Sequence, residues 1–219
     1  SRMATWLTIA CGTPCDIYHQ AVGRNLLGSM VRRARNPGCK QDETVIFIST
    51  AQGTGKSTLC EVLALQSEWF TDSFKFGGSQ QNTIPQLAGK WVVELGELAG
   101  MNRTEVEDIK QFLSSTADNY VKKYEAFATN QKRRCVFIGT SNDRRPLVDA
   151  TGNRRFLPVQ VIGEINLAWL RENVEQLIGE AAHRDAAGEE FAIPRSVWAE
   201  AARHQEAARQ RKPVEEYCQ

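Results

Sequence analysis

The densest chemistry in this chain lies in eight consecutive residues, Thr50-Ala51-Gln52-Gly53-Thr54-Gly55-Lys56-Ser57. They fit the template G-x-x-x-x-G-K-[ST] at Gly55, Lys56 and Ser57, with Thr50 in place of the first glycine. Between a strand and a helix, such a loop aims backbone N–H groups at phosphate oxygens, and the helix N-terminus adds partial positive charge. Gly53 supplies backbone freedom inside the loop, which offsets the loss of glycine at position 50. Gly53, Thr54, Gly55, Lys56, Ser57 and Thr58 are therefore expected to bind ATP. Lys56 would neutralise the β- and γ-phosphates, the Ser57 hydroxyl would ligate Mg²⁺, and Thr58 would lie near the α-phosphate. The competing reading is an ordinary glycine-rich turn between strand and helix.

Three further groups suit the same chemistry. Trp91 to Leu98 reads as a short apolar strand ending in Glu94 and Glu97. One carboxylate there would hold the hydration shell of Mg²⁺ and the other would polarise the attacking water. Glu94 is assigned to the metal and Glu97 to the base, and the two roles are exchangeable. Arg134 to Thr140 reads as another strand, followed by Ser141-Asn142-Asp143. Ligand-facing groups gather at the carboxyl ends of parallel strands, so Asn142 is placed to orient a hydrolytic water, although Ser-Asn-Asp also suits a plain turn or helix cap. Arg154 and Arg155 stand just before the expected strand Phe156 to Val161. Either could donate a bidentate pair of hydrogen bonds to a phosphate held by a neighbouring subunit, or simply pair with Asp149 or solvent.

Positioning these groups takes a strand-loop-helix unit. Thr44 to Ser49 is a β-branched apolar run, and Lys56 to Gln66 carries Leu59, Val62, Leu63 and Leu65 at helical intervals. Before it, Asp16 to Arg35 forms an amphipathic helix with Arg32, Arg33 and Arg35 at its C-terminus. Met101 to Ser115 reads as a packing helix with a charged outer face, and Gly77 to Asn82 as loop. Asn166 to His183 gives a further helix, and a last one from about Pro194, rich in Ala, Glu, Gln and Arg, is expected to stand out as an exposed arm with Arg203, Arg209 and Arg211 solvated. The fold class is α/β: a parallel central sheet flanked by helices at 44–163, with helical segments at 1–43 and 164–219.

Composition limits the alternatives. A chain of 219 residues that is 42% apolar can bury one sizeable core. Its net charge of +1 excludes a global basic field, so any nucleic-acid contact must be a local patch. The six cysteines form no C-x-x-C pair, so no zinc site is expected. Cys60 and Cys135 read as reduced core thiols, which points to a cytoplasm. No stretch approaches the roughly 18 apolar residues of a membrane span. Ser1-Arg2-Met3 reads as a cloning remnant ahead of a piece of a longer polypeptide.

The chain resembles the virulence-associated E (VirE-like) family of phage and mobile-element ATPases, related to superfamily-three helicases and AAA+ proteins. The resemblance rests on Arg32-Arg33 with Pro37-Gly38, the phosphate loop, Gly89-Lys90-Trp91 with Glu94-Leu95 and Glu97-Leu98, and Asp118 with Tyr124. It continues through Gly139-Thr140-Ser141-Asn142 and Asp149 to Phe156 with Pro158. It departs at Thr50 and at Tyr120 to Tyr124, where the family pattern has an arginine and a proline. The resemblance implies an AAA+-like P-loop NTPase core, a ring of subunits that is often hexameric, and hydrolysis of ATP between subunits. It also implies a primase fused to or associated with the chain, and translocation on single-stranded or forked DNA in the cytoplasm of a bacterial host. Related helicases carry a hairpin between the acidic strand and the next, so Lys122, Lys123 and Tyr124, with Lys132, Arg133, Arg134 and Phe127 beside them, are the DNA-facing candidates. An ATP-driven remodeller or regulator of a protein partner is the alternative function.

Overall fold

The computed structural model describes residues 1–74, 84–96, 103–121, 127–147 and 153–209. Five strands form one parallel sheet: β1 (Thr44–Ile48), β2 (Phe70–Thr71), β3 (Val92–Leu95), β6 (Val136–Ser141) and β7 (Phe156–Gln160), in the order β2-β3-β6-β1-β7. Two more, β4 (Ala117–Val121) and β5 (Ala128–Lys132), pair antiparallel as a separate hairpin between β3 and β6 in sequence. The helices are α1 (Arg2–Cys11), α2 (Ile17–Arg35), α3 (Lys56–Leu63), α4 (Arg103–Ser114), α5 (Leu167–Ala186) and α6 (Trp198–Ala207).

Strand alternation divides the interior in two. Val45, Phe47, Val92, Val136, Ile138, Leu157 and Val159 face one way, into a core shared with α1, α2, α3 and α5. Ile46, Ile48, Val93, Leu95, Phe137 and Phe156 face the other, where Ile109 and Leu113 of α4 and Leu147 meet them. Because both faces are covered, β1 is apolar and buried at every position but Thr44, itself buried, and shows no polar alternation.

The helices flanking the sheet are joined by specific contacts. Asp16 caps α2 by accepting from the His19 backbone N–H, and Arg32 at the other end reaches Asp185 of α5 at 3.0 Å. Arg33, fully buried, donates to the carbonyls of Cys135 and Gln41, which ties α2 to the start of β6. Gly28 of α2 lies against the Phe191 ring, where a Cβ would stand 2.1 Å from the nearest ring carbon.

Three sequence expectations need correction. Helix α3 ends at Leu63 rather than Gln66, with Leu65 in a left-handed conformation. Cys135 is buried but precedes β6. The last helix is not an exposed arm: α6 packs on β7, buries Ala201, and its Gln205 donates to the Phe156 carbonyl. Alanines that are merely helix formers on an exposed surface become packing residues once a sheet edge lies beneath them. The expected loop at 77–82 falls outside the described residues. Among the described residues, no helix is long and apolar enough to cross a membrane.

Candidate active site

The carboxyl ends of β1, β3 and β6 lie side by side because the three strands are parallel neighbours. The loop from Ser49 to Gly55 leaves β1 and turns into the N-terminus of α3, roofing an open cleft of about 520 Å³. Gly53 and Gly55 both take positive φ, 74° and 91°, a backbone region that side chains other than glycine resist. The loop is also held from behind: Ile165 N–H donates to the Thr54 carbonyl, and a Cβ at Gly55 would come within 3.1 Å of Leu167.

Lys56, the first residue of α3, is buried beneath the loop. Its Nζ donates to Asn142 Oδ1 at 2.9 Å, Thr54 Oγ1 at 3.3 Å and the Ser49 carbonyl at 3.4 Å. All three acceptors are neutral. Burial lowers the pKa of this amine from its ordinary value, and the nearby Glu94 charge opposes that shift. A buried ammonium surrounded by neutral oxygens is suited to an anion.

Glu94 sits on the face of β3 that carries Val92, toward α3, and it pairs in register with Ile138 of β6. The same alternation sends Thr140 of β6 to that face. The Glu94 carboxylate, 2% exposed, accepts from Ser57 Oγ at 2.8 Å and Thr140 Oγ1 at 2.6 Å, both through Oε1. Its Oε2 is buried without a hydrogen-bond partner. A carboxylate with one orphaned oxygen beside a serine hydroxyl fits a hard, hydrated cation such as Mg²⁺, which keeps most of its waters and takes one or two protein oxygens.

All of these residues lie inside the span, 1–211, that matches the model of the virulence-associated protein E-like domain. The chain belongs to this family. Its fold is similar to that of the apo C-terminal region of NrS-1, in one structure at 16% identity with a TM-score of 0.59. A second apo structure of that region matches at 18% identity with a TM-score of 0.60. The chain is covered over 94% and 95% of its length and spans about half of each NrS-1 chain, 50% and 51%. No curated protein matches it.

Of the residues singled out in the sequence, Gly53, Thr54, Gly55, Lys56, Ser57, Thr58, Glu94 and Asn142 line this one cleft. Glu97, Lys122, Lys123 and Tyr124 lie outside the described residues. Arg154 and Arg155 do not join the cleft of their own chain. They form a short turn before Phe156, which pairs with Thr44 at the opposite end of β1 from the loop. Arg155 donates to Ser114 Oγ at 2.9 Å, and Arg154 is exposed.

The basic run after the hairpin is split. Lys132 and Arg134 are exposed, but Arg133 is 3% exposed and makes a bidentate pair with Asp118 at 2.5 and 2.6 Å. Its guanidinium also lies 3.9 Å from the Phe112 ring centroid. Arg133 is therefore a structural residue and not a DNA contact. Phe127, by contrast, is 84% exposed at the hairpin end.

Thr140, which reasoning about individual residues missed, joins the cleft by donating to Glu94, and a hydroxyl one residue short of a strand's carboxyl end was a usable signal. Arg144 and Arg145 were also missed. They line a hollow of about 880 Å³ on the outer side of the loop, sharing Gly53 and Thr54 with the cleft.

Proposed function

We propose that the chain is the ATP-hydrolysing module of a phage or mobile-element replication protein, an AAA+-like P-loop helicase or translocase acting on single-stranded or forked DNA. ATP and Mg²⁺ are its cofactors, a ring of copies, expected to be hexameric, is its working form, and a fused or associated primase is its expected companion. The bacterial host cytoplasm is where it would act. The observation that carries the reading is the pairing of Lys56 with Asn142 beside the Ser57-Glu94-Thr140 cluster, all at the carboxyl ends of adjacent parallel strands.

Lys56 and the loop N–H groups bind and orient the phosphates, and Lys56 would exchange its neutral acceptors for phosphate oxygens. Asn142, released from Lys56, is then free to orient a water against the terminal phosphate. Ser57 and Glu94 would hold Mg²⁺, whose chemistry is to neutralise phosphate charge. Glu97, three residues past Glu94, is the proposed base. The phosphate loop's strand lies between β6 and β7, so the loop, the acidic strand and the Asn142 turn converge from three neighbouring strands. The exposed Phe127, Lys132 and Arg134 support a contact with single strands through stacking and phosphate neutralisation.

The test is steady-state ATP hydrolysis with Mg²⁺, with and without single-stranded DNA, at low and moderate salt. Turnover that DNA stimulates and salt suppresses is expected. Hydrolysis indifferent to DNA would replace the translocase with an ATPase directed at a protein partner. Absence of nucleotide binding would remove the reading altogether.

A further inference from the structure

Helix α6, packed on β7, brings its His204 against Tyr18 and His19 at the start of α2, from the far end of the chain. Tyr18 donates its hydroxyl to the Pro158 carbonyl at 3.0 Å, which fixes its ring. The His204 ring stacks on Tyr18 at 4.0 Å with the planes 8° apart, and the His19 ring stands edge-on to both at 5.2 Å. His19 Nδ1 lies 2.8 Å from Asp16 Oδ1. One ligand-capable atom from each of Asp16, His19 and His204 falls within 4.8 Å of the other two.

We propose that Asp16, His19 and His204 form a binding site for a divalent transition metal of the zinc class, pinning the N-terminus of α2 to α6. Two imidazoles and one carboxylate are a borderline donor set that suits Zn²⁺, Co²⁺ or Ni²⁺, whereas Mg²⁺ and Ca²⁺ prefer all-oxygen surroundings. Tetrahedral bonds of about 2.0–2.2 Å place ligand atoms about 3.3 Å apart, so the Asp16–His19 pair, hydrogen-bonded at 2.8 Å, needs to open slightly and the longer separations, up to 4.8 Å, need to close by no more than about 1.5 Å. Asp16 and His204, 38% and 26% exposed at their side chains, have the room to do so, while His19, at 4%, is the fixed member. The fourth position opens to water, or to Glu200, whose Oε1 lies 3.7 Å from His204 Nε2. None of these residues lines the ATP cleft. The short-range cysteine and histidine spacing gave no hint of such a site, because its ligands come from opposite ends of the chain.

The experiment is calorimetric titration of the metal-free, nucleotide-free protein with Zn²⁺, with Co²⁺ absorption as a second readout. One equivalent should bind at micromolar Kd, and the Co²⁺ form should show the visible bands of four-coordination. A hundredfold excess over Kd should raise the melting temperature by about 5–10 °C. His204→Gln and Asp16→Asn should each weaken binding at least about tenfold, in line with the loss of a metal-fixing group, while the circular dichroism spectrum stays native. Three results would each overturn the site: no saturable Zn²⁺ binding up to about a hundredfold above the micromolar range, unchanged binding in His204→Gln, or binding lost in Cys15→Ser but kept in His204→Gln. The last would place any metal on the exposed Cys15 thiol instead.

Discussion

At the scale of single residues, Lys56 and Glu94 are the groups of the cleft whose surroundings suit the proposed ligands. Lys56 is a buried cation whose hydrogen-bond acceptors are all neutral, so Lys56→Ala should lower ATP affinity by at least about tenfold, the order expected for loss of a charge-assisted phosphate contact. Equilibrium binding of a fluorescent ATP analogue measures this, and an unchanged Kd would detach Lys56 from the phosphates. A pH dependence follows as well. Burial, partly opposed by Glu94, sets the Lys56 pKa below the usual lysine value, so its positive charge is complete at low pH and is lost on raising pH sooner than for an exposed lysine. ATP affinity should therefore fall toward alkaline pH before ordinary lysines titrate, and Lys56→Arg should flatten that fall. For Glu94, replacement of an oxygen that already accepts from two hydroxyls should spare ATP binding and remove Mg²⁺-dependent turnover. Glu94→Gln at saturating ATP is expected to lose about 100-fold or more in kcat, as for removal of one preorganised electrostatic partner. Full turnover in that variant would move the metal role to another carboxylate.

At the scale of elements, the hairpin of β4 and β5 hangs from the ion pair of Asp118 with Arg133. Both charges are buried, Arg133 reaches the Phe112 carbonyl as well, and Phe112 in turn packs on Phe137 of the sheet. Removing one partner strands the other charge, so Arg133→Met should cost about 3–5 kcal/mol of stability. The double change Asp118→Asn with Arg133→Met should cost less than that single change, and urea denaturation separates the two. Lys132→Ala, one residue away and exposed, should leave the midpoint unchanged. The contrast shows what could be read in the chain beforehand. The apolar runs of β1, β3 and β6 were legible because burial on both faces favours hydrophobic strands, and the turn from β1 into α3 was legible because its glycines stand between an apolar run and a helical one. Arg133 was not, since the residue of Lys132-Arg133-Arg134 that turns inward depends on the phase of the strand and on Asp118 across it. The cluster of Asp16, His19 and His204 was hidden for the same reason, since tertiary packing alone sets His204 beside the start of α2. Gly28 records another long-range contact, with Phe191 of the segment after α5: Gly28→Ala would drive a methyl into the Phe191 ring, and thermal melting should show a loss of about 1–3 kcal/mol.

At the scale of the whole molecule, the sheet separates two parts of the proposed machinery. The proposed ATP cleft opens at the carboxyl ends of the strands, and the Arg154-Arg155 turn lies at the amino end of β7. Five paired residues between them, at about 3.3 Å per residue, set the two roughly 16 Å apart along the strand direction alone, beyond the reach of an arginine into its own cleft. If these arginines serve ATP hydrolysis, the phosphate they touch must be bound by another copy, and each cleft is incomplete in a single chain. Head-to-tail contacts of that type close into a ring when their rotation closes, which is the arrangement proposed above for this chain. Arg154 is exposed and unencumbered by the Ser114 contact that holds Arg155, so Arg154 is the better placed to reach outward. Mixing settles the matter. A Lys56→Ala subunit cannot hold ATP but still presents its arginines, and an Arg154→Ala subunit holds ATP but presents none. In an equal mixture about a quarter of the interfaces would combine an intact cleft with an intact arginine, so hydrolysis should recover to that order although neither variant is active alone. Recovery with Arg154→Ala but not with Arg155→Ala would assign the reaching arginine and leave Arg155 as the brace of its turn on α4. Failure of both variants to recover at every ratio would mean that the turn is purely structural and that the clefts work, if at all, within single chains.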